Sequence, residues 1–362
     1  MPRRFTRLLD GLPATTPFVP PEAIERRVGR AFTARLGANE SAFGPSPRAL
    51  LAMQRALETI AWYGDPDSHE LRQRLAGLLG TDAAHLSVGA GIDDLLELLV
   101  RAFVEEGEAV VCSHGCYPTF AYHVRAHGAE LVPVPYRDFK SDLDALLSAA
   151  RERSARILFL ANPDNPTGSL LEPADVAALT ERLSPGCVLL LDEAYADFVA
   201  PERLPRLAPD DPRVVRVRTF SKGHGLAGAR IGYAVGAPEV IAALDKMRNH
   251  FGVNRVGQAG ALASLEDPGF IAGVVAAVDE GRQEYAALGA ELGLAALPSS
   301  TNFVSYDIGG GAAARALLEG LRDRGVFVRT GVGPLDRLLR VTIGAPDDRA
   351  RFAAALRELR AG

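Results

Sequence analysis

The chain has 362 residues, which suits one large subunit with two closely packed domains. Its 48% hydrophobic and 23% charged residues are ordinary for a globular protein and fill a large core. The net charge of −5, with basic residues scattered, predicts no nucleic-acid-binding track, and no apolar run reaches the ~18 residues of a membrane span.

From residue 50 onward, helix-like and strand-like patterns alternate along the chain. Apolar residues at helical spacing predict helices near residues 50–60 and 71–78, and a strongly apolar helix follows over Ile92–Phe103. Helical stretches at 142–150 and 174–183 separate some of the later strands. Short apolar runs predict strands at residues 109–112, 131–134, 157–160, 188–191, 214–217 and 231–235.

This alternation is typical of an α/β fold, in which helices cover both faces of a mostly parallel sheet. Ligands of such folds bind beyond the carboxyl ends of the strands, where the polar segments 162–168, 192–195 and 221–222 are expected to lie. We predict a large domain over residues 45–248. Residues 1–44 and 249–362 would form a smaller α+β domain with a long helical region (256–294), a helix at 312–324, and strands near 302–306, 326–329 and 338–343.

One lysine stands out, because the chain has only three lysines against 37 arginines. Lys222 lies in the small-residue segment TFSKGHGLAGAR (219–230), directly after Ser221 and eight residues before Arg230. A lysine amine can form a Schiff base with an aldehyde cofactor, while a hydroxyl and a guanidinium hold its phosphate. The simpler interpretation is a surface lysine in a turn.

Two other motifs follow predicted strands. NPDNPTG (162–168) reads as a proline-stiffened loop, although such dipeptides are also common in plain turns. Asp192 ends the apolar run 189–191, and a buried carboxylate needs a partner. A protonated pyridine nitrogen would serve, as would a structural salt bridge or a helix cap.

These motifs, with DEAY (192–195) and LRVTIG (339–344), resemble fold-type-I pyridoxal-phosphate-dependent aminotransferases of class I/II, nearest to the histidinol-phosphate aminotransferase branch. The similarity spans nearly the whole chain, since LGANESAFGPSP (36–47), AWYGDPDS (61–68), VGAGIDDLLELLVRAF (88–103) and CYPTF (116–120) also match. It implies a large domain with a mostly parallel seven-stranded sheet between helices, plus a smaller α+β domain. It also implies an aminotransferase that moves an amino group from an amino donor to a 2-oxo acid in a ping-pong cycle.

The resemblance implies roles for individual residues around pyridoxal 5′-phosphate. Lys222 would form the Schiff base and move a proton, Asp192 would pair with the pyridinium nitrogen, and Asn165 and Tyr195 would bond the ring oxygen. Phe120 would stack on the ring. The cofactor phosphate would be held by Gly91, Ile92, Asp93, Thr219, Ser221 and Arg230. Tyr63 would reach that phosphate from the neighbouring subunit of a homodimer.

The substrate would be held by arginine and asparagine side chains. Arg340 would bind a carboxylate or phosphate as a planar fork, with Arg329, Asn39 and Asn165 nearby. One departure concerns Phe18, where the branch commonly has a tyrosine whose hydroxyl helps to bind the substrate phosphate. Our hypothesis from this departure is an ordinary or aromatic amino acid as donor rather than histidinol phosphate. Ile92 also replaces the usual small residue.

Several alternatives remain open at this level. Residues 223–228 fit the GxGxxG pattern of a dinucleotide-binding dehydrogenase, but that motif must open a helix and residues 229–236 read as a strand. A decarboxylase resembling threonine-phosphate decarboxylase, or a cyclase or lyase on this scaffold, would use the same residues. A non-catalytic regulator would need a DNA-binding module ahead of residue 36, where we expect none. No histidine is assigned a role and no metal is predicted.

The first residues of the chain and its cysteine content indicate the cellular compartment of the protein. Residues 1–7 are basic, but Asp10 and Gly11 end the apolar stretch before it reaches signal-peptide length. Three cysteines (Cys112, Cys116 and Cys187) make neither a disulfide framework nor a zinc site. We therefore expect a cytoplasmic protein with reduced thiols.

Overall fold

The structure is a computed structural model that describes residues 5–12 and 19–361, so Phe18 lies outside the described residues. The helices are α1 (Arg7–Gly11), α2 (Pro21–Val28), α3 (Pro47–Leu57), α4 (His69–Leu79), α5 (Ile92–Phe103), α6 (Pro118–Ala126), α7 (Leu143–Glu152), α8 (Pro173–Glu181), α9 (Pro238–Met247), α10 (Arg255–Leu265), α11 (Pro268–Leu292), α12 (Gly311–Asp323) and α13 (Pro346–Ala361). The strands are β1 (Ala34–Arg35), β2 (Leu86–Gly89), β3 (Ala109–Ser113), β4 (Glu130–Val134), β5 (Ile157–Ala161), β6 (Val188–Asp192), β7 (Val214–Thr219), β8 (Gly232–Val235), β9 (Ala295–Ala296), β10 (Phe303–Asp307), β11 (Val326–Phe327), β12 (Arg329–Thr330) and β13 (Leu338–Thr342).

The main sheet has seven strands in the order β2-β8-β7-β6-β5-β3-β4. The strands from β4 to β7 pair in parallel, and β8 is antiparallel to both of its neighbours. The predicted mostly parallel sheet is therefore confirmed. Sequence patterning missed β2, because it is only four residues long and carries the polar Ser87 at a buried position.

Helices cover both faces of this sheet. Along β5, Ile157 and Phe159 pack into the core formed with α5, α6 and α9, while Leu158 and Leu160 pack into the core formed with α7 and α8. Successive side chains of a strand point to opposite faces, so a strand covered on both sides must be apolar throughout. This explains why the inner strands were readable as unbroken apolar runs.

The helical region predicted over residues 256–294 consists of two helices. The chain forms α10 and α11, which bend by 84° at their junction. Pro268 begins α11, because proline lacks the N–H needed to continue α10 and disfavours a helical residue before it. Among residues 5–12 and 19–361, no single helix is long and apolar enough to cross a membrane, and only this bent pair passes the length and composition test together.

The remaining strands form two small sheets. One is antiparallel, in the order β12-β13-β10-β9, and the other pairs β1 with β11 in parallel. The strand predicted over 326–329 is thus two strands in different sheets. The division into domains at residues 44/45 and 248/249 stays a prediction, and the packing of α10 against α3 and α4 favours grouping α10 with the large domain.

Candidate active site

Most of the predicted site residues meet where three parallel strands end. The register aligns Ala161 of β5 with Asp192 of β6 and Val217 of β7, so the segments that follow these strands share one edge of the sheet. A cavity of about 400 Å³ opens there. It is lined by the predicted residues Asn39, Ile92, Asp93, Asn165, Asp192, Tyr195, Thr219, Ser221, Lys222, Arg230, Arg329 and Arg340.

The Lys222 amine faces this cavity. Its Nζ donates a long hydrogen bond to the Ala38 carbonyl oxygen at 3.4 Å. Burial, reinforced by the charge of Arg340, lowers the pKa of Lys222 to about 8. At pH 7 about a tenth of the amine is therefore neutral and nucleophilic, far more than in an ordinary lysine, which favours a Schiff-base role. Gly225, three residues later, has φ +68° and packs closely on the backbone of Gly44. A Cβ at this position would lie 2.1 Å from the Gly44 carbonyl oxygen.

Asp192 supplies a buried carboxylate at the end of β6. It accepts a hydrogen bond from the Ala194 backbone N–H at 2.9 Å, and within the described residues no lysine or arginine forms an ion pair with it. Burial raises the pKa of Asp192 to about 7, with smaller contributions from nearby carboxylates. A protonated pyridine nitrogen beside it would favour the ionised form.

A hydrogen-bonded network connects the small sheet to this edge. Arg340 of β13 donates to Asn165 Oδ1 and, at 2.9 Å, to the Gly37 carbonyl oxygen. Asn39 donates from Nδ2 to the Tyr195 hydroxyl at 2.8 Å. Burial raises the pKa of Tyr195 to about 12, so its hydroxyl stays protonated at neutral pH. The network brings together residues that lie up to 303 positions apart in sequence.

An anion cradle lies at the start of α5. Gly91 precedes this helix with φ +86°, and a Cβ there would lie 2.4 Å from Arg230 Nη2. Arg230 also pairs with Asp93 at 3.6 Å, and the Thr219 hydroxyl donates to Ser221 Oγ at 2.9 Å. Free N–H groups at a helix start, two hydroxyls and a guanidinium fit a phosphate group.

Phe120, which was predicted to stack on the cofactor ring, does not line this cavity. Phe120 is fully buried in the core and stacks on Phe159, with ring centroids 4.0 Å apart. Tyr117, three residues earlier, lines the cavity instead, and its hydroxyl donates to Asp93 Oδ1 at 2.8 Å. Phe120 points inward because it lies on the buried face of α6, whereas Tyr117 is the residue at which the chain enters that helix.

Tyr63 does not line this cavity. Its side chain is 75% exposed and its ring stacks on Phe251, with centroids 4.5 Å apart. Its predicted contact with a cofactor in a neighbouring subunit stays a prediction.

The GxGxxG run lacks the helix that a dinucleotide site requires. Residues 227–229 form a short 3-10 turn, and the antiparallel strand β8 follows. This agrees with the strand expected from the sequence and argues against the dehydrogenase alternative.

The residues of the cavity fit pyridoxal phosphate. They combine a partly neutral amine, a buried carboxylate without a cationic partner among the described residues, a phosphate cradle and the Tyr117 ring. When bound, this cofactor acts as an electron sink for negative charge that develops at the substrate Cα.

Comparisons with known proteins agree with this chemistry. The family model for aminotransferase class I and II matches residues 33–357. Histidinol-phosphate aminotransferases from Symbiobacterium thermophilum and Erythrobacter litoralis are 38% and 40% identical, over 94% and 90% of both chains. The crystal structure of histidinol-phosphate aminotransferase from Sinorhizobium meliloti in complex with pyridoxal-5′-phosphate superposes with a TM-score of 0.95, at 46% identity over 99% of this chain and 98% of that one. The predicted fold-type-I architecture and aminotransferase assignment are therefore confirmed, and the chain belongs to the class I and II aminotransferases, a pyridoxal-phosphate-dependent enzyme family.

Proposed function

We propose that this aminotransferase takes its amino group from histidinol phosphate and passes it to a 2-oxo acid in a ping-pong cycle. The observation that carries the proposal is the pair Arg329 and Arg340 on neighbouring strands, both lining the cavity that contains Lys222. The planar guanidinium fork matches the geometry of both phosphate and carboxylate, so both substrates can use the same anion site in turn. The names of the relatives support histidinol phosphate as the donor.

Each side chain then has a defined task. Lys222 would hold the cofactor through its aldehyde carbon, and its Nζ would take up and return the proton at the substrate Cα. Asp192 would keep the cofactor's pyridine nitrogen protonated. Because Asn165 Oδ1 accepts a hydrogen bond from Arg340, its Nδ2 would be left to donate toward the cofactor's ring oxygen, as the Tyr195 hydroxyl would.

The remaining residues hold the cofactor in place. Thr219, Ser221, Arg230 and the N-terminus of α5 would bind its phosphate, and the Tyr117 ring, which lines the cavity, would pack against the cofactor. The Tyr117 hydroxyl is fixed by Asp93, which itself pairs with Arg230, so ring stacking and phosphate binding are coupled.

We also propose a cytoplasmic homodimer. Leu57, Ile60, Trp62 and Tyr63 form an exposed apolar surface at the end of α3 and in the turn after it, with side chains that are 55% to 75% exposed. Exposed apolar residues clustered in this way mark an interaction surface. A second subunit would cover them and bring Tyr63 to the partner's phosphate cradle.

The donor is tested by single turnover of the holoenzyme without acceptor. Histidinol phosphate, histidinol, phenylalanine, tyrosine, glutamate and O-phosphothreonine are added separately, and absorption reports conversion of the cofactor from its aldehyde to its amine form. We expect histidinol phosphate to react fastest and histidinol far more slowly, because it lacks the phosphate. Faster conversion by an aromatic amino acid would support the donor hypothesis drawn from Phe18, and release of carbon dioxide from O-phosphothreonine would indicate decarboxylation.

A further inference from the structure

A second cavity, of about 260 Å³, adjoins the active-site cavity and is called here the side cavity. The two share Asn165, Arg329 and Arg340, so a substrate held by Arg340 can reach both. Val19, Ile24 and Phe327 contribute apolar walls to the side cavity. This space suits the part of a substrate that extends beyond the reacting carbon.

The charged side chains among the described residues that line the side cavity are all positive. Arg322, Arg329 and Arg340 line it, and none of its described lining residues is an aspartate or a glutamate. Burial and the charge of Arg340 lower the pKa of Arg329 to about 10. Among the described residues, the buried Nε of Arg340 has no hydrogen-bond partner. Like charges held together in this way are stabilised by an anionic ligand, and more strongly by one with two negative groups.

Arg322 differs from the other arginines near it. Arg315, also on α12, pairs with Asp336 at 3.1 Å, and Arg324, just after this helix, pairs with Glu358 at 2.9 Å. Within the described part of the chain, the half-buried Arg322 side chain has neither an ion pair nor a hydrogen bond. Its guanidinium is therefore available to a ligand in the side cavity.

We propose that Arg322 is a specificity-determining residue that binds the second anionic group of an amino-group acceptor, the terminal carboxylate of a 2-oxo dicarboxylic acid. The acceptor's first carboxylate lies on Arg340, which places its oxo carbon in the cavity of Lys222, and its methylene groups pass the apolar walls. This inference rests on the aminotransferase cycle proposed above. It adds a contact that neither Arg329 nor Arg340 has to provide.

The test measures the acceptor half-reaction separately from the donor. Protein loaded directly with pyridoxamine 5′-phosphate is mixed with 2-oxoglutarate or with pyruvate, which share the 2-oxo acid end and differ in the distal carboxylate. Three variants are compared with the wild type. Arg322→Gln removes the charge, Arg322→Lys keeps it, and Arg324→Gln is a matched control outside the cavity. Calorimetric binding of glutarate and butyrate to the holoenzyme provides a readout that does not depend on turnover.

We expect Arg322→Gln to raise the KM for 2-oxoglutarate and weaken glutarate binding about tenfold, as loss of a charge-assisted hydrogen bond predicts. In the same variant, the KM for pyruvate, the affinity for butyrate and kcat should change less than twofold. Arg322→Lys should restore part of the lost affinity for 2-oxoglutarate and glutarate, and Arg324→Gln should behave as wild type. Equal KM values for 2-oxoglutarate in wild type and Arg322→Gln would overturn the inference, as would a parallel loss for pyruvate. Failure of the donor proposal would show separately, as no conversion by histidinol phosphate.

Discussion

Asn39 donates a hydrogen bond to the Tyr195 hydroxyl at 2.8 Å, which ties the N-terminal segment to the carboxyl edge of the main sheet. Thr342 of β13 donates to the Oδ1 of the same asparagine at 3.0 Å, so one side chain joins three parts of the chain. Asn39 also has φ +54°, a conformation that asparagine tolerates better than most residues. This residue therefore holds the substrate side of the cavity against the cofactor side.

Replacement of Lys222 by alanine should abolish transamination. The variant loses both the covalent attachment and the proton carrier, and we expect kcat to fall by at least about a thousandfold. Circular dichroism and gel filtration should show an unchanged fold. Lys246→Ala, at the exposed end of α9, is the control and should retain full activity. Normal turnover by Lys222→Ala would remove this residue from the proposed mechanism.

Asp192 should make the stability of the cofactor-free protein depend on pH. The native pKa of about 7 lies above the unfolded value of 3.8, so the native state binds more protons between these values. Stability is therefore fully present below pH 4 and declines as the pH rises toward 7. Between pH 5 and pH 7.5, the unfolding free energy of Asp192→Asn should fall by roughly 1–3 kcal/mol less than that of the wild type, as measured by urea unfolding. Identical slopes for both proteins would contradict the raised pKa.

Tyr117 and Phe120 should have separable effects. Tyr117→Ala should weaken pyridoxal phosphate binding about tenfold or more and cost less unfolding free energy than Phe120→Ala, because its half-buried ring lines the cavity. Phe120→Ala should cost about 3–5 kcal/mol of unfolding free energy, because it empties a fully buried position. Fluorescence titration with cofactor and urea unfolding distinguish the two. The reverse pattern would restore the assignment of Phe120 to the cofactor ring.

Gly91 should not tolerate a side chain. In Gly91→Ala, the new Cβ would meet Arg230 at 2.4 Å and the residue would keep an unfavourable φ of +86°. We expect cofactor affinity to fall at least tenfold, because Arg230 must move out of the phosphate cradle. Gly77→Ala is the matched control, since that glycine lies within α4 with no atom within 4 Å of the added Cβ. Equal cofactor affinity in the two variants would argue against the cradle.

Trp62 should stabilise the proposed dimer. Its side chain is 69% exposed in one chain, and Trp62→Glu would place a charge in the proposed interface. Light scattering coupled to gel filtration should show the wild type as a dimer and the variant shifted toward monomer. Val28→Glu, at an exposed apolar position on α2, should leave the dimer intact. A wild-type protein that elutes as a monomer would refute both the dimer and the role of Tyr63.

Much of the sheet and of the cofactor chemistry could be predicted from the sequence. The inner strands are apolar on both faces, so their limits were found to within about two residues, as for Ile157–Ala161 and Val188–Asp192. Because parallel strands end at a common edge, the sequence alone predicts that Asn165, Asp192 and Lys222 lie together. In such motifs, the residues that define the backbone conformation and the reactive side chains are neighbours in the sequence.

Contacts between distant segments were decided only by the tertiary structure. Whether Tyr117 or Phe120 faces the cavity depends on how α6 is rotated against the core, which residue spacing near a helix start does not define. Whether an arginine on or near α12 is available to a ligand depends on whether folding brings a carboxylate to it, as it brings Glu358 to Arg324 but none to Arg322 among the described residues. The hydrogen bond from Asn39 to Tyr195 joins residues 156 positions apart. Such relationships arise from packing of whole elements, and packing orientation is a property of the assembled core rather than of any local segment.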